Sequence, residues 1–434
     1  MQRRAFLKDL SATASLLALS GCAAKHPLAS AAATAPALPF YDIVPPLIPI
    51  RAHADRIFRI TVCLRPFRAA GPRLDVERLG DHLVVHNYGH GGSGWSLSWG
   101  SAKIAVTKAF ESGQLDASKE IAVIGCGALG LTAAITAQRM GARVTIYCKE
   151  RPPEVRSARA TGSWTPDSRI AATGSAAPGF AAQWEQMART SWSMYQSYLG
   201  MPGDPIEFTD RYLLTDEDPN ASNSPTPSAS SVAPKTPGAP SIAASRNGWD
   251  RDTTKPQVDF ASYRDRIRDL TPRFTELPPG SHPFPTKYAY RNSSLTFNVA
   301  DYSRQLLNDF LIAGGRIETA EFHTPADLAT IPQRVLINCT GYGARALWSD
   351  ESIVPFRGQI AWLIPQEGVH YGIYYNSLGL LARRDGIVVQ GHINDDMYGY
   401  NETDETPNRP DAEATLKILT DLYARMSPTP QKRA

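Results

Sequence analysis

One short stretch limits the architecture of this chain more than any other. Ile121-Ala122-Val123-Ile124 is an apolar run of strand length. It passes directly into Gly125-Cys126-Gly127-Ala128-Leu129-Gly130. Leu129 to Met140 then reads as a helix with Gly141 placed to stop it, and Arg143 to Cys148 reads as a second buried strand. Strand, glycine turn, helix and strand make one βαβ unit, whose strands lie parallel. Each glycine has a task in that unit. Gly125 allows the tight turn, Gly127 lets the backbone approach a pyrophosphate, and Gly130 lets helix and strand pack closely. Ala128, Leu129 and Gly130 open the helix, and the free N–H groups there favour phosphate oxygens. An acidic residue about 20 positions past the turn is expected to hold ribose hydroxyls. Glu150 stands there, flanked by Lys149 and Arg151, either of which suits a phosphate instead. The turn by itself does not distinguish NAD from FAD.

A second glycine-rich segment precedes this unit: His86-Asn87-Tyr88-Gly89-His90-Gly91-Gly92-Ser93-Gly94-Trp95-Ser96. His86 and His90 have the i, i+4 spacing of helical metal ligands, but a loop this rich in glycine is not helical, so no metal is expected. The five cysteines, Cys22, Cys63, Cys126, Cys148 and Cys339, include no Cys-x-x-Cys pair, and the last four are expected to be buried free thiols.

At 434 residues the chain has room for two domains. Its net charge of +3 is spread along the sequence without a basic stripe, which argues against nucleic acid. Residues 1–22 read as an address rather than part of the fold. Arg3-Arg4-Ala5-Phe6-Leu7-Lys8 resembles a twin-arginine export signal. The apolar stretch Leu16 to Leu19 is too short to span a bilayer, which takes roughly 20 residues. Leu19-Ser20-Gly21-Cys22 resembles a bacterial lipobox, which implies lipid on Cys22 and a place in the bacterial cell envelope, facing the periplasm. Residues 23–45 form a tether. Residues 217–255, dominated by Ser, Pro, Ala, Thr and Asn, are expected to be a disordered insert. Strands are expected at 58–64, 83–85, 334–338, 359–364, 378–381 and 387–390, and helices at 102–110, 302–312 and 412–426.

Further segments decide between cofactors. Ala160-Thr161-Gly162-Ser163-Trp164-Thr165-Pro166, then Asn338-Cys339-Thr340-Gly341, then Arg357-Gly358-Gln359-Ile360 resemble, in order, segments of the D-amino-acid oxidase family. Leu64-Arg65-Pro66 followed by Gly71-Pro72-Arg73 resembles that family's substrate-carboxylate strand, and the loop at Gly89–Gly94 resembles its other flavin-contacting end. In the family the dinucleotide turn opens the chain and these last two segments nearly close it. Here they come first, so the chain resembles a circularly permuted member. The fold implied is α/β: a Rossmann-type FAD-binding domain (58–165 plus 316–358) with a second, substrate domain built on a mainly antiparallel sheet (166–315 plus 359–426).

The resemblance also implies a reaction and its residues. FAD is the cofactor, held by Gly125, Gly127, Ala128, Leu129, Gly130, Lys149, Glu150, Thr161, Gly162, Ser163, Thr165, Thr340, Gly341, and by Gly91, Gly92, Gly94, Trp95 and Ser96. Backbone amides of the glycine loop would face the negative charge of the reduced ring. Arg65 matches the arginine that grips a D-amino acid by its carboxylate, a planar fork against a planar acid. Gly92 matches the residue whose carbonyl accepts from the substrate amine, and Tyr375 or Tyr374 the tyrosine that closes over the carboxylate. A hydride passes from Cα to the flavin without a side-chain base. The imino acid hydrolyses to a 2-oxo acid and ammonia, and oxygen, or a quinone for an anchored enzyme, accepts the electrons. One position departs from the pattern: Gly379 stands where the family has a second carboxylate-binding tyrosine. A glycine or secondary-amine oxidase, a quinone-linked dehydrogenase, and a lipid-anchored binding protein without catalysis are the alternatives.

Overall fold

A computed structural model describes residues 44–217 and 257–426. The export signal, the lipobox, all but the last two residues of the tether, and the insert beyond Glu217 lie outside the described residues.

The βαβ unit forms as expected and sits at the centre of a six-stranded sheet. That sheet contains β2 (Val76–Leu79), β3 (His82–His86), β4 (Glu120–Ile124), β5 (Arg143–Cys148), β9 (Arg316–Thr319) and β10 (Val335–Asn338), in the order β2-β3-β10-β4-β5-β9. Every pairing is parallel except that of β2 with β3. Ile121 to Ile124 and Val335 to Asn338 are buried throughout, the apolar run required of strands covered on both faces. Helix α2 (Ala128–Arg139) covers one face and packs on α1 (Gly94–Glu111). Ala102, Ala105 and Ala109 of α1, like Ala133, Ala134 and Ala137 of α2, are buried and small, so the two helices approach closely. Helix α1 begins eight residues before the expected 102. Its first two turns carry Gly94, Ser96, Ser98 and Gly100, poor helix formers that obscure it in the sequence. Packing explains them: a Cβ at Gly100 would strike the Met187 backbone in α3 (Phe180–Gln196).

The second sheet has eight strands: β1 (Ile57–Arg68), β6 (Ile206–Thr215), β7 (Thr275–Glu276), β8 (Tyr288–Phe297), β11 (Ile353–Leu363), β12 (Tyr371–Tyr375), β13 (Leu378–Arg383) and β14 (Gly386–Gln390). Their order is β1-β11-β14-β13-β12-β6-β8-β7, antiparallel except where β12 meets β6. Helix α6 (Arg409–Ala424) buries Leu416, Leu419 and Leu422 in the apolar cluster on one face of this sheet, while α4 (Val299–Ile312) packs on α2 and the short α5 (Ala344–Leu347) follows β10.

Two expectations about the division of the chain need correction. Residues 58–68 do not join the dinucleotide-binding sheet: β1 pairs along almost its whole length with β11, as the edge strand of the eight-stranded sheet. An edge tolerates Pro66, which has no N–H to donate. Residues 166–315 also do not all belong with that sheet, because α3 packs on α1 and α4 on α2. The segment ahead of β4 thus contributes β1 to one sheet and β2, β3 and α1 to the other. The described ends meet as well: Thr420 Oγ1 of α6 donates to the Ala52 carbonyl (2.8 Å), and Tyr371 Oη donates to the Ile48 carbonyl (2.7 Å).

Close approach at the dinucleotide turn is the most sensitive point of this scaffold. A Cβ at Gly130 would fall inside the contact radius of the Gly125 carbonyl. The Gly130→Ala variant is therefore expected to lose about 1–3 kcal/mol in urea unfolding, despite the better helix propensity of alanine. Unchanged stability would show that the turn has slack.

Candidate functional site

The dinucleotide turn and the Asn338–Gly341 turn lie against each other at the C-terminal ends of β4 and β10. Gly125 has φ +105°, a conformation that favours glycine, and a Cβ there would stand 2.7 Å from the Cys339 carbonyl. Asn338 Oδ1 accepts from the amide and hydroxyl of Thr340, and Gly341 has φ +58°. No side chain caps α2 at Gly127, although Ser157 Oγ meets the Ala128 amide (3.1 Å). Such a glycine-lined, uncapped helix start fits a pyrophosphate. Glu150 lies two residues past β5, half-buried, without a hydrogen bond or ion pair among the described residues. Lys149 points elsewhere, to an exposed ion pair with Glu321 (3.2 Å), so of the two it is Glu150 whose side chain is uncommitted among the described residues.

The loop at Gly89–Gly94 does not work as expected. The Gly91 and Gly92 amides do not point toward a ligand: they donate to the Pro66 and Ser168 carbonyls, each at 2.8 Å. The reason for glycine is close packing. A Cβ on Gly91 would strike the Arg169 carbonyl, and one on Gly92 the Ser168 side chain. The side chains of Trp95 and Ser96 are also engaged within the protein, the indole donating to the Ser157 carbonyl and Ser96 Oγ accepting from the Thr165 amide (both 2.8 Å). Helix α1 starts at Gly94 without a side-chain cap, since Ser93 Oγ donates to the Ser168 carbonyl instead. An uncapped helix start of this kind presents N–H groups that favour a negative partner.

A cleft of about 150 Å³ opens between these segments and the eight-stranded sheet. Arg65, Gly92, Thr161, Ser163, Thr165 and Tyr374 all line it, so residues far apart in the chain converge there. Gly162 is the pivot of the Thr161–Thr165 segment: it has φ +88° and its carbonyl accepts from the Phe297 amide (2.8 Å). Arg65 projects from β1 across Gly358 of β11, where any Cβ would collide with the guanidinium. It forms no hydrogen bond or ion pair with the described residues, and burial pulls its pKa below the usual value. A cation so placed favours an anionic partner.

Of the two tyrosines, Tyr374 meets the cleft and Tyr375 does not. Alternation along β12 sends Tyr371, Ile373 and Tyr375 into the cluster under α6, where Arg425 donates to Tyr375 Oη (2.9 Å). Tyr374 lies opposite Gly379 of β13, which also lines the cleft. Sequence reading missed Ser168 and Arg169 in the cleft wall, and buried Arg211, which donates to Thr296 Oγ1 (2.7 Å) beneath Gly372. Nothing in the pattern around 166–169 signals that the chain curls back onto the glycine loop. Arg169 has φ +50°, so the turn is made by a residue that rarely adopts it.

Neither histidine of the loop belongs to a metal-holding group, and no such group occurs among the described residues. His86 accepts from Asn338 at Nδ1 (3.1 Å), so Nε2 carries the proton donated to Glu77 (3.0 Å). Cys63, Cys126, Cys148 and Cys339 are free, and Cys63 is only partly buried. His90 is fully enclosed with both ring nitrogens unpartnered, and burial lowers its pKa from 6.5 to about 3. Folding therefore requires the neutral ring. Its contribution is intact above pH 6.5 and erodes as pH falls toward 3, because only the unfolded chain takes up the proton. His90→Gln is expected to flatten the acid limb of the stability–pH curve over that window. An unchanged acid limb would show that the ring is not sealed.

A family model for FAD dependent oxidoreductases, DAO, matches residues 120–433, and the chain belongs to this family, whose cofactor is FAD. It is 26% identical over 246 residues to the D-amino-acid oxidase of Rubrobacter xylanophilus, covering 55% of this chain and 57% of that protein. It is also 26% identical over 254 residues to the D-amino-acid oxidase of Streptomyces coelicolor, covering 58% and 61%. The chain thus spans less than two thirds of the length of these relatives. Among solved structures, the glycine oxidase from Geobacillus kaustophilus is similar with a TM-score of 0.39 and 11% identity over 62% of this chain and 70% of that one.

Proposed function

We propose that this chain catalyses FAD-dependent oxidation of D-amino acids. The observation that carries the reading is Arg65: a guanidinium with no hydrogen bond or ion pair among the described residues, lining the same cleft as Gly92, Tyr374, Thr161, Ser163 and Thr165. The substrate carboxylate takes two parallel hydrogen bonds from Arg65, with Tyr374 bordering it. The Gly92 carbonyl accepts from the amine and so holds the neutral amine in place. Bound FAD supplies the two-electron acceptor for the Cα hydrogen. The cleft lining includes no His, Asp, Glu or Lys, so the chain contributes orientation rather than a base, an effect worth up to about 7–11 kcal/mol. Water converts the released imine to 2-oxo acid and ammonia, while oxygen takes the electron pair and leaves as hydrogen peroxide. Support for D over L handedness comes from the match at Leu64-Arg65-Pro66 and from the names of the relatives.

We also infer a circularly permuted order. The family match begins at residue 120, yet residues 57–111 supply β1 to the eight-stranded sheet, β2 and β3 to the six-stranded one, and α1 to the layer packed on α2. The described ends lie side by side at Ala52 and Thr420, while residues 112–119 bridge α1 to β4. A chain reordered as residues 114–426 joined to 44–113 is expected to fold and retain FAD; an unfolded product would contradict the inference.

Anaerobic mixing with a D-amino-acid panel is expected to bleach the flavin, and the L-enantiomers are not. Absence of bleaching by every D-amino acid overturns the reading. Arg65→Lys is expected to lower kcat/KM about 100-fold, as the loss of a charged two-pronged contact should. Tyr374→Phe is expected to raise KM more than Tyr375→Phe, and the reverse order would place the wrong tyrosine in the cleft.

A further inference from the structure

Arg65 is not the only cation in the cleft. Arg169 lines the same cavity from the opposite segment of chain, beside Gly92. Its position is built rather than incidental. The residue sits at φ +50°, its Nε donates to the Asp396 carbonyl (3.0 Å), and its Nη2 reaches the Asp395 carbonyl (3.4 Å). The guanidinium lies over the rings of Phe356 (5.1 Å) and Phe260 (5.8 Å). All of these contacts fix its plane, and Nη1 has no partner among the described residues.

Among the described residues no ion pair reaches its guanidinium. Asp167 forms an ion pair with Arg264 (2.6 Å), and the Asp395 carboxylate accepts from the Met397 amide (2.9 Å). Both Asp395 and Asp396 favour the charged guanidinium at a distance. Burial and the Arg65 charge oppose them and bring Arg169 to about 10, so it remains a cation at neutral pH. Two guanidinium groups lining one partly buried cleft repel, and a single anion on Arg65 leaves Arg169 only the more distant charges of Asp395 and Asp396. The remaining wall by Leu381 and Val388 is apolar and accommodates the methylenes of a short chain. Gly379, also in the wall, keeps a bulky side chain out of that space.

We propose that the cleft is shaped for an amino acid with a second carboxylate, its α-carboxylate on Arg65 and its side-chain carboxylate on Arg169. The proposal rests on the amino-acid oxidase reading and names the substrate class of that site: acidic amino acids.

The test is calorimetric titration of the FAD-loaded protein with succinate, glutarate and butyrate, three carboxylates that do not turn over. At least one of the two dicarboxylates is expected to bind tenfold or more tightly than butyrate. In Arg169→Gln that dicarboxylate should lose at least tenfold more affinity than butyrate does, and Arg169→Lys should restore part of the difference. In turnover, the kcat/KM ratio of D-aspartate or D-glutamate to D-alanine should fall by at least tenfold in Arg169→Gln. Equal binding of all three ligands to the unaltered protein, or equal losses in Arg169→Gln, overturns the proposal while leaving Arg65 as a carboxylate site. Binding of none of them overturns both this proposal and the oxidase reading beneath it. Should Arg169→Gln fail to fold, the unaltered protein and Arg169→Lys still decide.

Discussion

A guanidinium held in a cleft with no counter-ion among the described residues is the interaction on which the rest of this structure turns. Removing a charge from water is costly, and proteins ordinarily repay that cost with a paired carboxylate. Arg65 has none among the described residues. Its position is nonetheless well determined, because β1 is tied to β11 from Ile57 to Arg68 and Gly358 clears the space its head group occupies. A rigid strand ladder thus keeps a cation in an unfavourable state, one that the carboxylate of the proposed substrate would relieve. Such pre-organisation gives orientation without asking the ligand to assemble the site.

Glycine is the material that lets the two halves of the site come together. At Gly125 and Gly130 its absence of a side chain brings a helix start and a turn into contact. At Gly91 and Gly92 it admits the Ser168–Arg169 backbone, and at Gly358 it admits the Arg65 head group. The loop that resembles a nest of inward amides is therefore a packing device. Its amides are already committed to Pro66 and Ser168, and the uncapped helix start is that of α1.

Much of the fold was legible in the sequence where periodicity and turn chemistry agree. The apolar run at 121–124, the glycines that follow and the strand at 143–148 predicted the centre of the parallel sheet. The mainly antiparallel second sheet was likewise anticipated. Strand partnership was not legible. Residues 57–68 alternate like any strand, and nothing local says that β11 rather than β3 is the neighbour, because the pairing is set by contacts about 300 positions away. The first turns of α1 were hidden for a related reason, since Gly94, Ser96 and Gly100 serve close helix packing at the expense of helix propensity. Of the residues that line the cleft, Arg65, Gly92, Ser163 and Thr165 were named from motifs. Tyr374 and Tyr375 were inseparable until the pleat assigned one to each face, and Arg169 carried no motif at all.

The most direct measurement is a crystal structure of the protein with FAD and a bound carboxylate ligand. The account predicts the carboxylate paired through two oxygens with the Arg65 guanidinium, above the open face of the ring and between Gly92 and Tyr374. A ring bound on the far side of the eight-stranded sheet from Arg65, or a carboxylate held elsewhere with Arg65 still unpaired, would contradict it.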